Sequence, residues 1–153
     1  MTTTQNCLAK EGKYLTFALG KEDYGLEILK VREIIGLMNI TAVPQVPAYV
    51  KGVINLRGKV IPVIALRLKF NMPSIEMTAE SCIIVINLND ALIGIIVDKV
   101  NEVLNIKQEM IESLPNCGAD VNTDYILGIG KIKDTVKILL NIEKVLSEDH
   151  QTV

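Results

Sequence analysis

The feature that most constrains this chain is an internal repeat. Placing YGLEILKVREII (24–35) over IGIIVDKVNEVL (93–104), at an offset of 69 positions, brings Gly25 onto Gly94, Lys30 onto Lys99, Val31 onto Val100 and Glu33 onto Glu102. Ile28 with Val97, Ile34 with Val103, and Ile35 with Leu104 agree in type. Further along, the offset becomes 76, and Gly52 meets Gly128, Val60 meets Val136, Val63 meets Leu139 and Leu66 meets Ile142. A chain of 153 residues that repeats itself in this way reads as two small units of one kind. Units of about 65 residues bury too little surface to be secure alone, so each is expected to lean on the other.

Local patterning says what those units are. Short runs rich in Val, Ile and Thr alternate with Gly, Pro, Asn and Asp, the rhythm of a β-barrel. The runs predict strands over 14–19, 24–28, 34–43, 50–56 and 59–64, then over 82–88, 92–97, 103–106, 125–132 and 136–140. Short helices are expected at 66–70 and 142–146, and one helical turn where Ile28, Val31 and Ile35 recur at near-helical spacing, as do Val97, Val100 and Leu104. The expected organisation is a flexible N-terminus over 1–12, one domain over 13–147 and a tail over 148–153. Within the domain, barrel 1 spans about 14–70, a polar connector 71–80 and barrel 2 about 81–147, with the exchange of strands between them open. Residues 115–124 read as an exposed loop.

Several function classes lack their residues. The one histidine, His150, sits in the polar tail, a poor place for a general base or a metal pair. GIGK (128–131) lacks the spacing and the Ser or Thr of a phosphate loop, so its glycines are read as allowing close backbone approach in a strand. Cys7, Cys82 and Cys117 form no CxxC pair, so neither a disulfide framework nor a zinc site is expected, and no cofactor. Net charge is −2 with 16 scattered basic residues, four Tyr, two Phe and no Trp, which offers nucleic acid no basic stripe or stacking platform. A small nucleic-acid-binding barrel stays a lesser alternative. The polar start carries no secretory h-region, and no apolar run approaches the roughly 20 residues of a membrane span. The chain is therefore expected to be cytoplasmic, without direct membrane insertion, and not an enzyme.

The segment VPQVPAYVKGVINLRGKVIPVIALRLKF (43–70) resembles the signature region of the CheW coupling proteins. FALGKEDYGLEILKVREI (17–34), IGIIVDKVNEVL (93–104) and YILGIGKIKDTVKILLNIEKVL (125–146) are similar to the rest of that family, over about 14–147 in all. The resemblance implies a mainly β fold: two intertwined five-stranded SH3-like barrels on a shared hydrophobic core, with short helices at barrel ends and near the C-terminus. It implies an adaptor, monomeric when free, that bridges chemoreceptor cytoplasmic tips and the regulatory domain of the CheA histidine kinase. A scaffold of the same fold in a non-chemotaxis sensory pathway is the main alternative.

By the same resemblance, Val31, Glu33, Arg57 and Val103 belong to a receptor-binding region, where an Arg fork can pair with a carboxylate at two points and hold two segments in register. The bland alternative is a surface ion pair and two core valines. Pro44 and Pro47 bracket a rigid connection, and exposed apolar residues beside it, Val46, Tyr49 and Val50, are candidates for docking the kinase. Loop tips read equally well as plain turns. Gly25, Gly52, Gly58, Gly94 and Gly128 are expected in structural roles, Gly58 at the tight LRGK hairpin. Ala65 stands where the family usually carries Asp, so the following helix should lose about 1 kcal/mol of capping. Asn141 holds the equivalent place in the second copy and can still cap.

Overall fold

A computed structural model describes residues 9–113 and 125–147. The expectations for Cys7, Cys117, His150, the 115–124 loop and the 148–153 tail lie outside the described residues. Eleven strands are described: β1 (Gly12–Leu19), β2 (Glu22–Glu27), β3 (Val31–Gly36), β4 (Val50–Leu56), β5 (Lys59–Ala65), β6 (Cys82–Leu88), β7 (Ala91–Val97), β8 (Lys99–Ile106), β9 (Ile111–Glu112), β10 (Ile126–Ile132) and β11 (Thr135–Leu140). Helix α1 (Leu66–Lys69) follows β5, and α2 (Ile142–Ser147) follows β11. The fold is mainly β, as expected.

Two departures from the expected elements have local causes. The strand predicted over 34–43 runs from Val31 and stops at Gly36; beyond it only Thr41 pairs, in an isolated bridge to Val53. Pro44 and Pro47, which cannot donate to a ladder, lie just downstream. The predicted helical turn exists in the first copy as a short 3-10 turn, Ile28–Lys30. In the second copy β7 and β8 are separated by Asp98 alone, so the apolar spacing there belongs to strands.

The strands form two sheets, ordered β8-β1-β2-β11-β10-β9 and β3-β6-β7-β5-β4. Replacing each strand by its counterpart in the other copy turns the second order into the first, with the two-residue β9 as the addition. Each sheet therefore takes strands from both halves. The chain accordingly divides into two discontinuous units, and neither coincides with residues 14–70 or 81–147. Of the described residues, one comprises those up to Thr16, Lys21–Ile28 and those from Glu102 onward; the other comprises Phe17–Gly20 and Leu29–Asn101.

The registers repeat residue for residue. In the parallel pair β5–β7, Val63 lies opposite Gly94; in the parallel pair β2–β11, Leu139 lies opposite Gly25. A Cβ on Gly94 would meet Ile83 Cγ2 at 2.8 Å, and one on Gly25 would meet Leu139 Cδ2 at 2.9 Å, so both positions bring strands too close for a side chain. The antiparallel ladders β4–β5 and β10–β11 each slip by one residue, between Val50 and Gly52 and between Ile126 and Gly128. At the ladder ends, Ala65 N–H donates to Tyr49 O and Asn141 N–H to Tyr125 O, both at 2.7 Å.

Each unit has its own apolar centre. Ala9, Tyr14, Ile106, Ile111, Leu127 and Leu139 pack together in the first. Ile54, Ile61, Val63, Ile83, Val85 and Ile96 do so in the second. Fully buried Thr16 accepts from Glu102 N–H at 3.2 Å and donates to Glu102 O at 2.7 Å, so its hydroxyl is satisfied. Among the described residues no helix is long and apolar enough to cross a membrane.

Candidate functional site

The hairpin between β4 and β5 places a charged side chain at a tight turn of the second unit. Leu56 pairs with Lys59, so Arg57 and Gly58 are the two central residues of the turn. Both have positive φ, 52° and 88°, the pattern of the I′ turn whose twist suits a two-residue hairpin. Gly58 N–H donates to Asn55 Oδ1 at 2.8 Å, which closes the turn. Sequence reasoning assigned the unusual backbone to Gly58 alone. Such turns favour Asn, Asp or Gly at the first position, and an L-residue in the left-handed region costs roughly 1–2 kcal/mol.

Arg57 Nη2 donates to Glu33 Oε2, an ion pair whose side chains are 69% and 29% exposed. The pair joins the hairpin tip to β3, where Glu33 lies opposite Val85 of β6 and half-buried Val31 opposite Ile86. A register shift between Val31 and Glu33 marks a bulge in that strand. An exposed ion pair contributes only about 0–1 kcal/mol, too little by itself to offset the backbone strain at Arg57.

The structure thus brings together Glu33, Arg57 and, on the same strand as Glu33, Val31. Val103 lies in the other unit, on β8, where it is 47% exposed and is no part of a core. The 43–50 segment differs from expectation in part. Pro44, Val46 and Pro47 are exposed, and Gln45 between them has a φ of 61°. Tyr49 and Val50 are half-buried: Lys69 Nζ lies 4.3 Å from the centre of the Tyr49 ring, and Val50 pairs with Ile64. Ala65 begins α1 with an extended backbone and no side-chain cap, whereas Asn141 Oδ1 accepts from Lys144 N–H at 3.2 Å.

A second arginine–carboxylate pair was not singled out from sequence. Arg67 donates from Nε to Asp98 Oδ1 at 2.8 Å and from Nη2 to Oδ2 at 2.7 Å, a two-point fork. Asp98 Oδ2 also accepts from Gly20 N–H at 2.7 Å, and Arg67 Nη1 donates to Pro73 O at 3.0 Å. With side chains only 15% and 21% exposed, this pair ties α1, the β7–β8 junction, the β1–β2 turn and the connector together. The hydrogen bonds from Arg67 hold the Asp98 carboxyl below its ordinary range despite some burial, and the same contact raises Arg67. Nothing in the spacing of Arg67 and Asp98 signals the contact.

GIGK lies in β10, where Lys131 pairs with Glu112 at 2.9 Å. Burial pushes the Cys82 thiol up, which leaves it a poor nucleophile. Among the described residues no group of three or more His, Cys, Asp or Glu is placed to hold a metal ion.

Comparison with known proteins decides the family. The CheW-like domain family matches residues 13–150. The chain belongs to that family. The chemotaxis protein CheW of Klebsiella aerogenes is 38% identical over 141 residues, 92% of this chain and 85% of that one. The chemotaxis protein CheW of Bacillus subtilis is 39% identical over 130 residues, 85% and 81% of the two chains. The crystal structure of the scaffolding protein TtCheW from Thermoanaerobacter tengcongensis superposes with a TM-score of 0.78 at 36% identity, covering 86% of this chain and 89% of that one. The two sheets thus correspond to the two SH3-like barrels of the CheW fold.

Proposed function

We propose that this CheW-like chain is a chemotaxis adaptor that bridges chemoreceptor cytoplasmic tips and the regulatory domain of a CheA histidine kinase. One observation carries the receptor side of the reading: Arg57, held in a left-handed backbone at a hairpin tip, is ion-paired to Glu33 at the solvent surface. The turn thus presents a guanidinium to solvent while the carboxylate of Glu33 holds it in place, as a group poised to meet a partner's polar atoms would be. Val31 adds apolar area on the same strand as Glu33. A helical hairpin with an amphipathic surface is the kind of ligand that such a mixed surface receives. Val103, exposed on the other unit, is a second apolar candidate to be tested separately. On the kinase side, the exposed Pro44, Val46 and Pro47 loop is the better half of the candidate segment. Tyr49 and Val50 act there as supports, being half-buried.

The mechanism involves no covalent step. Ligand-driven changes at a receptor bias kinase activity through the bridge as a coupling free energy. The chain works in the cytoplasm and is recruited to membrane-associated receptor arrays. The test pairs two assays: calorimetric titration with the regulatory domain of the CheA from the same source, and capture by receptor tips of wild type and Arg57→Ala. Kinase-domain binding together with receptor capture weakened by the variant supports the bridge. Kinase binding with capture unchanged moves the receptor site off Arg57. Absence of kinase binding rejects the CheA pairing and favours a scaffold for another sensory pathway.

A further inference from the structure

The internal repeat poses a problem of strand choice, and the two units answer it with different chemistry. In the unit built on β5 and β7, the layer beside Val63 and Gly94 is apolar: Ile61 is fully buried, and Leu92 packs against the same cluster. The counterparts of Leu92 and Ile61 in the other unit are Asp23 and Lys137. These lie directly opposite one another in the parallel pair β2–β11, with Lys137 Nζ 2.7 Å from Asp23 Oδ2. The lysine side chain is only 12% exposed and the aspartate 31%. Lys137 has the same strand parity as fully buried Leu139, and Asp23 has that of Gly25, so the ion pair caps the apolar layer on its inward side.

Because β5 resembles β11 and β2 resembles β7, two pairings of these four strands are available to the chain. In the observed one, each parallel pair joins strands from different halves. In the other, β2 would pair with β5 and β7 with β11, each within its own half. That alternative sets Asp23 against Ile61 and Lys137 against Leu92, a charge against an aliphatic side chain at both places. At the inward apolar positions the alternative again sets a glycine against an aliphatic side chain, Gly25 against Val63 and Gly94 against Leu139.

We infer that the Asp23–Lys137 ion pair is a strand-choice device: it selects the exchanged pairing of β2 with β11 and rejects the pairing of each half with itself. Breaking the pair leaves the Lys137 ammonium, only 12% exposed, facing an aliphatic side chain, so the device discriminates by a factor on the order of 100. Polar residues that fix a register at some cost in stability are known devices of this type. The inference is independent of any partner.

The test is refolding from urea, followed by two-dimensional NMR of cross-strand contacts and by light scattering of the refolded material. Wild type should show Gly25–Leu139 and Val63–Gly94 contacts only. The Asp23→Leu, Lys137→Ile double variant makes both layers apolar. A second contact set, Gly25–Val63 with Gly94–Leu139, or interchain-exchanged oligomers absent from wild type, should then reach about a tenth of the molecules or more, the loss expected of roughly 100-fold discrimination. The charge-reversed double variant, Asp23→Lys with Lys137→Asp, should restore the single set. Refolding of the apolar variant to the native contacts alone, at wild-type yield, would overturn the inference. Should that variant not fold, Asp23→Lys alone replaces it: native contacts unaffected by two facing lysines overturn the inference, and recovery on adding Lys137→Asp supports it.

Discussion

Replacing Asp98 with Asn keeps the shape of the side chain and removes its charge, and the surroundings fix the consequence. Oδ2 accepts from two donors, Arg67 Nη2 and Gly20 N–H, each at 2.7 Å, while Oδ1 accepts from Arg67 Nε at 2.8 Å. An amide offers one acceptor and one donor. Whichever way it turns, an NH2 group faces at least one N–H donor. At least one charge-assisted hydrogen bond is lost, a contribution of about 1.5–3 kcal/mol. The side chains are 15% and 21% exposed, so water replaces the contact only in part, and a loss of about 2 kcal/mol is expected near neutral pH. For a chain of this size that lowers the melting temperature by about 4–8 °C.

The pH dependence of this prediction has a definite sign. Arg67 depresses the folded-state pKa of Asp98, so the contribution of the pair is complete above the unfolded value of about 3.9. It is lost as pH falls through the lower folded value. Urea denaturation of wild type and Asp98→Asn between pH 7 and pH 3 should therefore show a gap that is constant at the upper end and begins to close at the lower. A gap below about 0.5 kcal/mol at pH 7, or one that widens as pH falls, would refute the reasoning.

Three further outcomes are expected. Arg57→Ala should leave urea stability within about 1 kcal/mol of wild type, because its ion pair is exposed, while receptor-tip capture falls at least about tenfold. Gly25→Ala and Gly94→Ala should each cost about 1–3 kcal/mol from overpacking against side chains, and Gly52→Ala more, since its Cβ would sit 2.1 Å from the backbone oxygen of Thr41. A denaturation series that reverses that ranking rejects the close-approach reading. Ala65→Asp should add a cap to α1 and raise stability by about 1 kcal/mol, measured by thermal melting; no gain would mean that burying the carboxylate offsets the cap.

Much of the fold was legible because β-branched runs bounded by turn residues specify strands locally. The predicted ranges 50–56 and 82–88 coincide with β4 and β6. Which strands pair was not legible. A parallel register between β5 and β7 leaves no local trace, and a duplicated sequence offers each strand two equivalent neighbours. The two-residue β9 is too short for any periodicity. For the candidate site, Glu33 and Arg57 were reachable through the VREI and NLRG motifs, but the left-handed backbone of Arg57 was hidden behind the more permissive Gly58. Tyr49 and Val50 were misread as exposed because their cover, Lys69 and Ile64, comes from later in the chain.

Comparing the two copies position by position separates what the fold requires from what it tolerates. Gly25 and Gly94 recur because a side chain at either would collide with a neighbouring strand, and the register shifts beside Gly52 and Gly128 recur with them. Charges do not recur in the same way. Arg67 and Asp98 correspond to Glu143 and Leu29, which cannot form the same fork, and Leu29 is 92% exposed. Arg57 corresponds to Lys133, also at positive φ (56°), so the left-handed first position of the turn is shared, while the positive φ of the second position, at Gly58 but not at Asp134, and the guanidinium are not. A lysine keeps the charge but not the planar two-point donor set. If the hairpin served only to turn the chain, Asn or Gly would suit both copies better. The guanidinium stands on one copy alone, which sets Arg57→Lys beside Arg57→Ala as the variant that separates charge from geometry in receptor capture.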